Sequence, residues 1–315
     1  MLATTWMSKI HIFTLVGAAT LVFLLAGHYT YKNSMGGFSH PKSHDGPSAQ
    51  DLLSQPFPTK IWQSWKDDSE NPTEKAAGLP HQWREVNPDW RYERLTDANM
   101  NAYVRERFDG RTVDVFTSLH DPILKSDLLR YLLILKEGGV WADIDVRPLQ
   151  PVSKWIPEQH HGKANLVVGI ESDHHKKSVL PGVSPHSVAL AQFAMLAKPG
   201  HPAIRVLVDR VLDNIQQLMA TKPAGTAVTF NEVMVTTGPY AFTTALMDYF
   251  FNVTGVVHNG DEMDSLEEPR LIGDVLVLPK DSFGWLPHEH TYEKDDPIVL
   301  VQHLFISTWR PSHPG

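Results

Sequence analysis

Asp143 and Asp145 are the residues whose type and spacing point most directly to chemistry. Carboxylates two positions apart on a strand share one face, and where the strand ends and the chain turns both can reach one ion. Hard oxygen ligands of this kind suit Mn²⁺ or Mg²⁺, with the phosphate oxygens of a diphosphate completing the shell. With 22 aspartates in 315 residues such a triplet arises by chance, and its weight lies in its surroundings. A second pair, Asp127 and Arg130, is three residues apart, which puts both on one helix face. In an isolated helix they would be an ordinary ion pair. Kept in an otherwise apolar helix, close in sequence to two more acids, they are candidates for gripping a polar ligand such as a sugar.

These groups need elements to hold them. Ser126 as N-cap, Asp127 in the first turn, an apolar Leu/Ile/Tyr body and the Gly138-Gly139 stop predict a buried helix over 126–137. The β-prone run 140–146, closed by Pro148 and Pro151, predicts a strand that ends in acid. The carboxyl edge of a sheet is where α/β folds place their ligands. Residues 58–65 and 90–95 read as the first two strands with a helix between them, and 203–219 as an amphipathic core helix. The short apolar runs 166–170, 274–278 and 297–301 read as buried strands. Strands alternating with helices give an α/β sandwich.

Composition removes several classes of function. The chain is 42% hydrophobic and 20% charged, enough to bury a core, and its net charge of −8 without a Lys/Arg block argues against nucleic-acid binding. It has no cysteine, so disulfides, Cys-ligated zinc, iron–sulfur clusters and Cys nucleophiles are excluded together. Any metal must sit on Asp, Glu, His or carbonyl oxygens. Residues 10–27 contain no Asp, Glu, Lys or Arg and reach the lower end of a membrane-spanning helix. With Lys9 before it and no clean small-residue cleavage site after it, this segment is expected to be a signal anchor behind a cytosolic tail, 1–9. Residues 28–55, rich in Gly, Pro, Ser and His, read as a stem, and 56–315 as one catalytic domain. Asn252-Val253-Thr254 is an N-glycosylation sequon. The pairs His160-His161 and His174-His175, with His288-Glu289-His290, lack helical metal-ligand spacing and are expected to be solvated.

At this point the residues resemble a family. The run from Lys125-Ser126-Asp127-Leu128-Leu129-Arg130 through Gly138-Gly139-Val140-Trp141-Ala142-Asp143-Ile144-Asp145 resembles the DXD sugar-binding core of glycosyltransferase family 32. Further landmarks follow in order: Lys60-Ile61-Trp62-Gln63-Ser64-Trp65, Thr237-Gly238-Pro239 and His303-Leu304-Phe305-Ile306-Ser307-Thr308-Trp309. With the anchor and stem, the whole is similar to the fungal Golgi initiation-type α-1,6-mannosyltransferases. The resemblance implies a GT-A type nucleotide-sugar-binding sandwich with a mixed central sheet. It also implies a metal-dependent retaining transfer of mannose from GDP-mannose to a mannose-containing N-glycan. The enzyme would be a single-pass type II protein of the Golgi membrane with its catalytic domain in the lumen, accompanied by subunits of a mannosyltransferase complex. By the same resemblance Trp62 stacks on the donor base, and Asp127 and Arg130 hold the donor sugar and its phosphate. Asp143, Asp145 and His303 hold Mn²⁺ or Mg²⁺, and Ser307 and Trp309 touch the donor diphosphate. Two alternatives stand beside this reading: a glycolipid acceptor such as inositol-phosphate ceramide, and a non-catalytic carbohydrate-binding subunit. No carboxylate is identified as a nucleophile, so front-face attack is the expected route to retention.

Overall fold

The computed structural model describes residues 48–174, 184, 186–223, 226–284, 293 and 296–314. The expected anchor at 10–27 lies outside them, as do His175 and 288–290. Among the described residues no helix is long and apolar enough to cross a membrane.

The strands are β1 (Lys60–Ser64), β2 (Arg91–Leu95), β3 (Gly139–Ala142), β4 (Val146–Pro148), β5 (Leu166–Asp173), β6 (Val188–Ala197), β7 (Arg270–Ile272), β8 (Val275–Leu278) and β9 (Val301–His303). The helices are α1 (Ala49–Ser54), α2 (Leu79–Val86), α3 (Met100–Arg107), α4 (Gly110–Ser118), α5 (Pro122–Glu137), α6 (Pro202–Thr221), α7 (Phe230–Thr236), α8 (Pro239–Thr254) and α9 (Lys280–Gly284). A mixed seven-stranded sheet runs in the order β2-β1-β3-β6-β5-β8-β7, and β4 pairs with β9 in a separate two-stranded ladder. β1 is parallel to β2 and β3, β5 is parallel to β8, and β6 runs antiparallel between β3 and β5. The carboxyl ends of β1, β3, β5 and β8 therefore share one edge.

The sheet is covered on both faces, and the alternation of strand side chains divides the core accordingly. Trp62, Trp141, Val168 and Val277 face the layer of α5, α6 and α8, while Ile61, Val140, Val167 and Leu276 face a cluster built on Trp83, Trp155 and Phe283. Each of those large side chains is fully buried, a contribution of about 1.5–3 kcal/mol apiece. The reversal from α5 into β3 sets the position of Asp143. It requires glycine at 139: its φ is +87°, and a Cβ there would lie 2.6 Å from the Lys60 carbonyl oxygen.

Several elements differ from the sequence expectation. The buried helix begins four residues earlier, at Pro122, because Asp121 is the N-cap and accepts from Ile123 N at 3.1 Å, with Pro122 at the first helical position. Ser126 and Asp127 thus lie in the second turn, and Ser126 is not the cap. The strand expected at 140–146 stops at Ala142, turns through Asp143 and resumes at Val146. The strand expected over 297–301 is instead Val301–His303, paired with β4 and not with the main sheet. β6 was not anticipated: as a central strand buried on both faces it has no period-two pattern, and its Ala-rich run does not separate strand from helix. The last part of the segment read as a stem is α1, closed by a Ser48/Asp51 capping box and tied to the domain by Lys198 Nζ donating to Leu53 O at 2.7 Å. The sequon lies in the last turns of α8 with Asn252 exposed.

Candidate active site

The carboxyl edge of the sheet opens into a cavity of about 710 Å³. Each wall comes from a different element: α5 supplies Ser126, Asp127 and Arg130; the turn after β3, Asp143 and Asp145; β5, Glu171; β6, Gln192; the start of α8, Gly238 and Pro239; and the segment after β9, Phe305, Ser307 and Trp309.

The turn after β3 brings the two acids to one side. Asp143 N donates to Phe193 O at 2.8 Å, holding the turn against β6, and Val146 N closes it on Asp143 O at 3.0 Å. Gln63 Nε2 donates to the same carbonyl at 3.0 Å. Asp145 is locked to the C-terminal segment, since Leu304 N donates to its carbonyl and Ile306 N to its Oδ2, each at 3.0 Å. Its Oδ1 lies 3.3 Å from His303 Nε2. Burial works to raise the Asp145 carboxyl, but the His303 hydrogen bond and charge overcome it and hold the group below its ordinary value. His303 is shifted upward: burial opposes its charge and the bond to Asp145 outweighs burial. Phe305 and Ser307 both have φ of +47°, a left-handed conformation costly for residues other than Gly and Asn. That backbone is held where the segment wraps over the acids.

Behind the acids lies a buried charge network. Arg130, almost wholly enclosed, donates to Asp127 Oδ1 at 2.7 Å and to Asp143 Oδ1 at 2.8 Å and Oδ2 at 3.1 Å. Thr237 Oγ1 donates to Asp127 Oδ2 at 2.8 Å, and Trp141 Nε1 to Asp143 Oδ1 at 2.7 Å. Tyr131 OH bonds Gln192 and the Thr237 carbonyl, extending the network to β6 and α8. Burial pushes the Asp127 carboxyl up to about 6 against the pull of Arg130, and the neighbouring carboxylates hold Arg130 firmly protonated. Arg130 therefore bridges two carboxylates; it is not a free fork at the open end of a helix.

Asp143, Asp145 and His303 offer ligand atoms that all lie within 4.8 Å of one another. Two hard oxygens and one imidazole nitrogen match a Mn²⁺ or Mg²⁺ donor set whose remaining positions go to phosphate or water. The spare atoms agree: the second Asp145 oxygen and the second His303 nitrogen are turned away into protein, leaving Oδ1 and Nε2 side by side.

Of the residues singled out in the sequence, Asp127, Arg130, Asp143, Asp145, His303, Ser307 and Trp309 all line this one cavity. Trp62 does not. It belongs to the α5-facing core at 5% exposure, with Nε1 donating to Gly138 O at 3.1 Å, because its place on β1 turns it under α5 beside Trp141. The aromatic of that segment that lines the cavity is Trp65, just past the end of β1. Glu171 and Gln192 also line the cavity and were missed. Glu171 had a readable signal: it is an acid directly after the predicted buried strand 166–170, the same placement that marked Asp143. Burial pushes its carboxyl up to about 7, with Asp143 adding to the effect and His303 and Arg130 opposing it. His161 and His174 are exposed and away from the cavity, as expected.

The family model described as the glycosyltransferase sugar-binding region containing the DXD motif matches residues 73–161. That stretch carries Asp127, Arg130, Asp143 and Asp145. Over this segment the chain is similar to the DXD-containing glycosyltransferases. Beyond it, the chain is 32% identical over 260 residues to the initiation-specific α-1,6-mannosyltransferase of Schizosaccharomyces pombe, an alignment covering 81% of this chain and 64% of the relative. It is 26% identical to the enzyme of the same name from Candida albicans, over 82% of this chain and 73% of that one. An inositol phosphoceramide mannosyltransferase of S. pombe is 28% identical over 51% of this chain and 44% of its own length. The chain thus spans somewhat under two thirds of the length of its S. pombe α-1,6-mannosyltransferase relative.

Proposed function

We propose that this chain is a metal-dependent, retaining glycosyltransferase of GT-A type that moves mannose from GDP-mannose to a mannose-containing N-glycan. The observation that carries this reading is the convergence of Asp143, Asp145 and His303 on one edge of a cavity backed by the Asp127–Arg130 network. The name of the α-1,6-mannosyltransferase relative, aligned over 81% of the chain, supports mannose as the sugar. The relative named for inositol phosphoceramide aligns over 51%, which makes the lipid acceptor the second reading. A purely binding role has less behind it, because Asp127, Arg130, Asp143, Asp145 and His303 are all present and line one cavity. The segment 10–27 is proposed as the anchor of a single-pass type II Golgi protein, with the cavity in the lumen and further mannosyltransferase subunits as partners.

Asp145, His303 and Asp143 would hold Mn²⁺, or Mg²⁺ in its place. When bound, the ion neutralises charge developing on the departing diphosphate. Arg130 donates to both Asp127 and Asp143, so its guanidinium offsets the two carboxylates and fixes their places. Ile306 N fixes the Asp145 rotamer before the substrate arrives, which lowers the ordering cost at reaction. Ser307 and Trp309 border the donor side, and Trp65 takes the base-stacking place that Trp62 cannot fill. The acceptor hydroxyl attacks from the face the diphosphate leaves, and its proton passes to the departing phosphate oxygen.

The test is turnover by the purified 315-residue chain, with Mn²⁺, of GDP-mannose, UDP-glucose and UDP-galactose in the presence of mannose oligosaccharides. GDP-mannose alone should be consumed, with transfer abolished by EDTA. Failure to bind any of the three would contradict the glycosyltransferase reading.

A further inference from the structure

Five acids line the cavity. Asp127, Asp143 and Asp145 each accept hydrogen bonds from protein groups, whereas Glu171 and Asp97 accept none from the described residues; Asp97 is exposed and Glu171 half-buried. It sits at a break in the β5 ladder, where the register with β6 shifts between Ile170 and Ser172. Such an irregularity re-aims a side chain. The charged and titratable groups that bear on its carboxyl come from every surrounding element: Arg130 of α5, Asp143 after β3, His303 of β9 and Tyr240 of α8. A half-buried carboxyl that lines a cavity and has no protein partner is open to a ligand that donates to it.

Its position says which ligand. Across the sheet edge the order is Trp65 after β1, Asp143 after β3, Gln192 on β6 and Glu171 on β5. Strands lie about 4.8 Å apart, so Glu171 stands roughly 10 Å along the edge from the first metal-binding acid, on the side opposite Trp65. A nucleotide sugar is linear: base, ribose, diphosphate, sugar. With the base toward Trp65 and the diphosphate at Asp145 and His303, the far end of the cavity is left for an uncharged polyol. A carboxylate there repels phosphate and accepts from hydroxyls.

We propose that Glu171 is a catalytic residue of the acceptor subsite, accepting hydrogen bonds from hydroxyls that flank the attacking one on the acceptor hexose. This rests on the glycosyltransferase reading above. In the step it serves, a bond forms between the attacking oxygen and the donor C1 while the C1–O bond to the diphosphate breaks. The proton of the attacking hydroxyl goes to the departing phosphate oxygen, and Glu171 takes no part in the proton transfer; it fixes the orientation of the acceptor.

The experiment compares wild type with Glu171→Gln and Glu171→Asp in the whole chain. It measures GDP-mannose binding by calorimetry, acceptor-free hydrolysis of GDP-mannose, and transfer to a mannose oligosaccharide. Glu171→Gln should lower kcat/KM for the acceptor by about 10²-fold, as misorientation of a reactant does. Transfer should fall further than donor binding or acceptor-free hydrolysis does, and Glu171→Asp should recover part of the transfer. Transfer by Glu171→Gln within about threefold of wild type would overturn the proposal. So would donor binding and hydrolysis that fall in step with transfer, since they would place Glu171 on the donor. If Glu171→Gln does not fold, Glu171→Asp decides: an unchanged KM for the acceptor counts against the subsite. Wild type that neither binds nor hydrolyses GDP-mannose would instead remove the function on which the proposal rests.

Discussion

Two Asp–His pairs sit at opposite edges of the same sheet, and both are 3.3 Å apart: Asp145 with His303 at the carboxyl edge and Asp274 with His201 at the amino edge. The second pair is closed. Asp274 also accepts from Asn165 Nδ2 at 2.9 Å and Tyr249 OH at 2.8 Å, and His201 Nδ1 caps α6 by accepting from Ala203 N at 3.2 Å. These bonds join β8, β5, α6 and α8. The first pair is open: its partners fix one oxygen and the backbone, and the facing oxygen and nitrogen border a cavity. Residue types and separation are therefore the same, and what separates a site from a strut is whether the facing atoms border a cavity. Two tryptophans divide in the same way, with Trp62 spent on the core and Trp65 lining the cavity.

The division can be broken by substitution. Asp145→Asn should lower transfer by about 10²–10³-fold, the usual cost of removing one electrostatic stabiliser of a developing charge, with little change in melting temperature. Equal losses of activity and stability would place Asp145 with the struts. Trp62→Ala should cost about 3–5 kcal/mol of stability in a denaturant titration, as other large core truncations do. Trp65→Ala should leave stability nearly unchanged and weaken nucleotide binding by about 1–3 kcal/mol, the range for base stacking. Asp274→Asn should destabilise the fold by about 1–3 kcal/mol by weakening charge-assisted bonds, and kcat per folded molecule should not move. The smallest effect is one of pH. Burial works to raise Asp274, but His201, Asn165 and Tyr249 hold it well below its ordinary value of 3.8. A carboxyl lowered on folding contributes stability above its unfolded pKa and loses it as pH falls toward the folded one. Wild type and Asp274→Asn should therefore differ by a constant amount near neutral pH and converge below about 3.8, as followed by thermal melts across pH.

The same contrast explains how much of the molecule was legible in the sequence. α5, β3 and the acids after it were readable because a cap-to-glycine helix and a β-prone run closed by prolines are local signals. So were β1, β2 and α6, whose patterns match their periods, and β5, a short apolar run bounded by breakers. The start of α5 was misplaced because Ser126 and Asp121 are both acceptable caps, and Pro122 at the first helical position decides between them. β6 was invisible because a strand buried on both faces carries no alternation. The site followed the same rule. Asp127 and Arg130 were identified as a pair, but that Arg130 reaches forward to Asp143 depends on the α5–β3 reversal, which no spacing expresses. Trp62 and Trp65 cannot be told apart by type; only the pairing of Trp62 with Trp141 on the face covered by α5 assigns them. Glu171 repeats the placement of Asp143, an acid at the carboxyl end of a buried strand, and even has a second acid, Asp173, two residues on.

The most direct measurement is the binding of GDP to the purified chain by calorimetry, with and without Mn²⁺, in wild type and Asp145→Asn. If the open pair at the carboxyl edge is a metal-assisted diphosphate site, wild type binds GDP tightly only with Mn²⁺, and Asp145→Asn loses that dependence while keeping its fold. GDP bound equally well without Mn²⁺, or with the same Mn²⁺ dependence in Asp145→Asn, would contradict it.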